Sequence, residues 1–156
     1  MASSSGDVLP TGCRILTSIP DVFFIPEFVF GGLVWTLVAS TRITTANPLA
    51  WVMFVSVFCF VMTTAWIFIF LCGANRSSIW LALDVGYHFV AVLFYLSASV
   101  ILAFITIEQA TLVGIPTVVD NLFIYRLEIS AVVMSFLATL FYFLHAIFSA
   151  IRWKRF

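Results

Sequence analysis

The stretch DVGYHFVAVLFYLSASVILAFITIE, Asp84–Glu108, decides the fold class: between its two acidic ends lie 23 residues without a formal charge. The hydrocarbon core of a bilayer, roughly 30 Å thick, takes about 20 helical residues, so this run is long enough to cross. Two further gaps between charges share the property, with 33 residues between Arg42 and Arg76 and 23 between Glu128 and Arg152. A fourth candidate, Val22–Ser40, is 19 residues long and carries Pro26 and Glu27, which makes it the weakest span by hydropathy. The runs are continuous and rich in aromatics, without the apolar/polar alternation of a membrane β-barrel. Helices satisfy their own backbone hydrogen bonds in lipid.

Composition agrees. Of 156 residues, 63% are hydrophobic and 9% charged, where a soluble domain is near half apolar and a quarter charged. A small domain could not hide that much apolar surface from water. Seven basic and seven acidic residues cancel, leaving no excess for nucleic acid. Three cysteines without CxxC spacing form neither a disulfide framework nor a zinc ligand set.

The expectation is therefore an all-α membrane protein, a four-transmembrane-helix antiparallel bundle with spans near 22–40, 49–72, 79–107 and 129–151. An N-terminal tail, 1–21, and a C-terminal tail, 152–156, flank the four-span domain, 22–151. Thr41–Pro48 reads as a polar turn closed by Asn47-Pro48, and Gly73–Ser78 as a shorter one in which Gly73 ends the second helix. The third connection, Glu108–Glu128, mixes Gly114, Pro116, Asp120 and Asn121 with apolar residues and is expected to lie against the bilayer surface. The first apolar run could instead serve as a secretory signal, but it is too long for one, follows a 21-residue leader and holds an acid. Neither a myristoylation start nor a prenylation box is present.

With four spans both termini share one side. Arg14, Arg76, Arg152, Lys154 and Arg155 fall there, against Arg42 and Arg126 opposite, so the positive-inside rule puts both tails in the cytosol. Asn75-Arg76-Ser77 has the form of a glycosylation sequon that this orientation leaves unmodified. The same topology brings Glu27, Asp84, His88 and His145 into the cytosolic third of the bilayer, with Asp84 and His88 one helical turn apart. Their functional reading is a proton relay or metal site; the structural reading, which the sequence favours, is interhelical hydrogen bonding. A transport path would need polar groups through the outer half, which is mostly Phe, Val, Ile and small residues. No resident metal or cofactor is expected.

Gly31-Gly32, Ser97-Ala98-Ser99, Ala131/Ser135 and Ala146/Ala150 offer small surfaces for close helix contact. The 27 aromatics include 18 Phe, too many for interface belts alone, although Trp51, Trp80 and Trp153 fit the membrane boundaries. Cys72, at the end of the second span, is placed for S-palmitoylation; Cys13 less so, and mid-span Cys59 reads as core. The tail Arg152, Trp153, Lys154, Arg155 suits anionic lipid or a sorting receptor. No nucleophile–base–acid set, phosphate loop or HExxH is present, so no enzymatic activity is expected.

Four runs carry a resemblance. FGGLVW (30–35), WVMFVSVF (51–58), Tyr87-His88 followed by LFYLSAS (93–99), and ATL (138–140) with His145-Ala146 and IRWK (151–154) look like the MAL family of MARVEL-type proteins, in the family's order and over about residues 15–155. The resemblance implies a proteolipid that partitions into cholesterol- and sphingolipid-rich membrane, associates with itself and with membrane cargo, and supports vesicle traffic from the Golgi to apical or myelin plasma membrane. It implies no catalytic residues. The family's C-terminal sorting segment falls on Arg152–Arg155, but the ending Arg155-Phe156 departs from its small polar terminus, as do Pro26 and the apolar stretch around Val113–Val119.

The leading reading is thus a non-enzymatic membrane organiser with a Phe-rich outer surface, sorted by hydrophobic matching to the thicker plasma membrane. The alternative is a small proton- or metal-coupled transporter using Glu27, Asp84, His88 and His145. A claudin-like adhesion role is disfavoured by the absence of a cysteine pair in the outer loops.

Overall fold

The computed structural model describes residues 10–41, 46–111 and 121–155, and among these there is no strand. Four long helices follow two short 3-10 turns: α1 (Phe24–Ser40), α2 (Ala46–Leu71), α3 (Ile79–Ala110) and α4 (Asn121–Arg155). All four are long and apolar enough to span a membrane. Pro26 and Pro48 do not interrupt them, because each occupies the third helical position, where a backbone N–H has no intrahelical partner to lose.

Each helix packs on its two neighbours in the cyclic order α1–α2–α3–α4. Cross-helix pairs give the directions. Asp84 early in α3 meets Ser149 late in α4, Phe23 meets Phe148 while Phe30 meets Phe141, and Trp66 late in α2 meets Trp80 early in α3. These three adjacencies are antiparallel, and the fourth, α1 on α2, is therefore antiparallel too. The start of α1, the α2–α3 turn and the end of α4 therefore share one end, called here the terminal end.

The buried stripe of α3 runs Asp84, His88, Ala91, Tyr95, Ala98, Leu102, Ile105, at alternating spacings of four and three, the periodicity of a helix face turned to its neighbours. Val34, Val38, Val52, Val55, Ala131 and Ala138 complete the apolar core. Cys59 lies in it, as its mid-span place suggested. Small residues set the approach distances: a Cβ on Gly31 would stand 3.1 Å from the Tyr95 hydroxyl, and one on Gly32 would stand 3.2 Å from the Phe60 ring. Ala131, Ser135, Ala98 and Ser99 are buried between α3 and α4 as expected, whereas Ala150 is exposed.

Gly73 closes α2 with φ of 68°. Its N–H donates to the Phe70 carbonyl at 3.1 Å and that of Ala74 to Ile69 at 3.1 Å, the paired bonds of a Schellman cap that favours glycine at this position.

Boundaries depart from the sequence reading in three places. The connection expected over 108–128 is shorter, since α3 reaches Ala110 and α4 begins at Asn121; Glu108 and Glu128 were taken for span ends, but helices continue past the apolar core when their backbone bonds are already made. Residues 112–120, and with them the surface-lying segment, are outside the described residues, as are 42–45 of the first turn. Asn47-Pro48 belongs to the first turn of α2 and not to the loop. Finally, neither tail is free along its whole length: α4 continues through Arg155, and the 3-10 turn Gly12–Leu16 packs on α2 with Ile15 buried beside Phe24, Trp66, Phe70 and Leu81.

Candidate functional site: a buried carboxylate and imidazole cluster

Glu27 lies in the first turn of α1, Asp84 and His88 on consecutive turns of α3, and His145 about three turns before the end of α4. Antiparallel packing brings all four to one point near the terminal end, each with a side chain that is 0% exposed. These are the four residues, from three helices, that the sequence reading grouped together.

Each imidazole bridges both carboxylates. His88 places Nδ1 3.2 Å from Asp84 Oδ1 and Nε2 3.4 Å from Glu27 Oε2. His145 places Nδ1 2.9 Å from Glu27 Oε1 and Nε2 3.9 Å from Asp84 Oδ1. The two rings stack face to face, centroids 3.6 Å apart. Phe24 caps His145 edge-on at 4.6 Å, and Tyr142 lies over His88 at 6.0 Å.

Three partners were not assigned to the cluster from sequence. Ser149 donates to Asp84 Oδ2 at 2.5 Å. Arg152 joins two acids, with Nη1 2.8 Å from Asp21 Oδ2 and Nη2 3.0 Å from Asp84 Oδ2. Asp21, which the sequence reading left in the tail, is buried and also accepts from Ser18 at 3.0 Å. Arg152 thus departs from the expected sorting or lipid-contact tail: it turns inward, while Trp153, Lys154 and Arg155 stay exposed. The available signal was spacing, for His145, Ser149 and Arg152 stand at i, i+4 and i+7 on one helix face.

Beyond the cluster runs a seam of hydroxyls that the sequence reading, which expected mostly Phe, Val, Ile and small residues in the outer half, did not anticipate. Thr63 bonds Tyr142 at 2.7 Å and Tyr87 at 2.9 Å; Tyr87 reaches the Cys59 carbonyl at 3.1 Å; Ser99 and Thr139 meet at 3.2 Å. The seam is not a continuous relay. Ser99, Ser135 and Thr139 donate to carbonyls of their own helices, and the buried Tyr95 hydroxyl has no hydrogen-bond partner.

Of the remaining candidates, Cys72 and Cys13 are exposed. Asn75 is only 1% exposed, and its amide donates to the Pro10 carbonyl at 3.1 Å. An unmodified sequon is therefore expected on either side of a membrane, and orientation has to be read from tags on the termini.

A model of the MARVEL family, described as a membrane-associating domain, matches residues 15–148. The chain belongs to the MARVEL family. Within it, the chain is 49% identical to the human myelin and lymphocyte protein over 157 aligned residues, covering 98% of this chain and 96% of that one. The dog protein of the same name is 47% identical over 98% of this chain and 96% of its own length. A bovine CKLF-like MARVEL transmembrane domain-containing protein 8 is 32% identical over 56% of this chain and 53% of its own length. No solved structure matches. The MAL resemblance seen in the four sequence runs holds across almost the whole chain, and the chain is an integral multi-pass membrane protein of that kind.

Proposed function

We propose that this MARVEL protein is a non-enzymatic proteolipid that organises sterol- and sphingolipid-rich membrane and supports vesicular traffic to the plasma membrane, apical or myelin, from Golgi-derived carriers. Both termini face the cytosol. Self-association, bound cholesterol and sphingolipid, and clustered cargo are parts of the same reading. The observation that carries it is where the phenylalanines lie. Among the described residues only Phe24 and Phe70 are fully buried, whereas Phe54, Phe68, Phe89, Phe104, Phe123 and Phe143 are among those exposed on the outside of the bundle. Phenylalanine is normally a core residue; here the excess forms a rigid outer jacket, the part that touches lipid. An apolar groove of about 350 Å³ between α3 and α4, lined by Phe89, Leu93, Phe143 and Ala150 among others, belongs to that jacket.

Helix length supports sorting by thickness. At 1.5 Å per residue the 26 residues of α2 and 32 of α3 reach about 39 and 48 Å, longer than a plasma-membrane core of about 32 Å and a still poorer match to the thinner endoplasmic reticulum. Deleting four residues each from α2 and α3, about 6 Å per helix, is expected to shift the protein toward early secretory membranes, as read by quantitative colocalisation. An unchanged distribution, with the variant folded, contradicts thickness sorting. The transporter alternative receives less support, because the hydroxyl seam is interrupted at Tyr95 and closed beyond it by Leu49, Val52, Leu102 and Ile105.

A further inference from the structure

We infer that the cavity between the end of α4 and the turn before α1 is a binding site for one anionic phospholipid, with Arg155 at its phosphate and its acyl chains against Phe148 and Ile151. The cavity holds about 510 Å³ and is lined by Ile19, Phe148, Ile151, Arg152 and Arg155. Sites for small ligands run from about 300 to 1,000 Å³, so this one can take a headgroup and the first part of its chains.

Two contacts build the cavity. Arg152 Nη1 is 2.8 Å from Asp21 Oδ2, which ties the chain before α1 to α4. Phe23 stacks on Phe148 with ring centroids 5.8 Å apart. Ile19 is thereby held opposite α4 and yet stays 67% exposed, an apolar side chain left without protein cover.

Polarity is ordered along one face of α4. Phe148, Ile151, Arg152 and Arg155 stand at i, i+3, i+4 and i+7 and share that face. At 1.5 Å per residue Arg155 is about 6 Å beyond Ile151 along the helix, and the headgroup layer on each side of the hydrocarbon is about 5–7 Å deep. Trp153, exposed between them, is the residue type that sits at that boundary. A phospholipid has the same order, chains inward and phosphate outward.

Charge selects the headgroup. The lining holds two guanidiniums and, among the described residues, no acid. Arg152 directs its Nη atoms at Asp21 and Asp84 and so holds the wall, although its Nε–H has no partner. Arg155 is exposed, and its planar fork matches phosphate oxygens. A zwitterionic headgroup brings a cation that cancels its phosphate, whereas an anionic one leaves net negative charge for Arg155. Anionic lipids are held in the cytosolic leaflet; that this end faces it is the one element taken from the proposed function. The tail expected to contact lipid as a block is thus divided, for Lys154 lies outside the cavity.

The test places the full chain in nanodiscs of phosphatidylcholine with a minor share of phosphatidylserine and counts retained lipids by native mass spectrometry. One phosphatidylserine per chain should persist after phosphatidylcholine is stripped. Arg155→Gln should lower its retention about tenfold, the loss of one hydrogen bond to a charged group, and Ile19→Asp, which sets an acid in the lining, by at least as much. Lys154→Gln removes the same charge outside the cavity and should cost less than about fivefold, the worth of one cation near an anionic surface. All three side chains are exposed, so circular dichroism should show each variant folded. Phosphatidylserine with a photoactivatable acyl chain should label the peptide carrying Phe148 and Ile151. Both leaflets of the nanodisc offer the same lipids, so a negative result bears on the cavity and not on which way the termini face. Equal effects of Arg155→Gln and Lys154→Gln, label confined to other helices, or no preference for phosphatidylserine over phosphatidylcholine would each overturn the site.

Discussion

Arg152→Ala is expected to destabilise the folded bundle by about 3–5 kcal/mol, the usual cost of removing one partner from a buried ion pair. Arg152 is the cation that reaches both Asp21 and Asp84, and both acids are buried. Without it the terminal end of the bundle holds two carboxylates with reduced compensation. Arg152→Lys should recover only part of the loss, because an ammonium cannot form the fork that spans two acids. Lys154→Ala, two residues along on the exposed side, should change stability by less than about 0.5 kcal/mol. Thermal unfolding in nanodiscs, followed by circular dichroism, compares the three. Equal effects of Arg152→Ala and Lys154→Ala would mean that Arg152 acts as a surface cation.

Tyr142→Ala should cost a similar amount, about 3–5 kcal/mol, through the cavity left by a large buried ring. Tyr142 is fully buried, stacks on Tyr95 at 5.2 Å and bonds Thr63 across the bundle at 2.7 Å. Tyr142→Phe keeps the ring and removes the hydroxyl, so its cost should fall to about 0.6 kcal/mol, the average for a hydrogen bond between membrane helices. The same unfolding assay separates the two. A large loss from the phenylalanine variant would move the weight from ring packing to the hydroxyl seam.

The fold was legible because charges are so sparse. The uncharged runs marked the four spans, and Gly73 marked one helix end through its need for positive φ. The four-residue cluster was legible for a related reason: once the helices are antiparallel, their rare ionisable residues have few places to go. What stayed hidden depends on side-chain direction. Arg152 sits in a run of tail-like residues, Arg-Trp-Lys-Arg, and nothing in that composition says that one cation turns inward while the next two do not. Asp21 was hidden because the chain before α1 folds back against the bundle, with Ile15 and Asp21 buried. Composition also could not separate a Phe-rich core from a Phe-rich jacket, since both give the same count. The hydroxyl seam escaped because Ser, Thr and Tyr scattered along four helices align only when the helices are in register.

The central claim, that the outer coat of the bundle does the work, is tested most directly by reconstituting the purified chain into phase-separated vesicles of cholesterol, sphingomyelin and unsaturated phosphatidylcholine and measuring its partition between the two phases. The account predicts enrichment in the ordered, sterol-rich phase. Exclusion from that phase, or an even distribution across both by a folded protein, would contradict it.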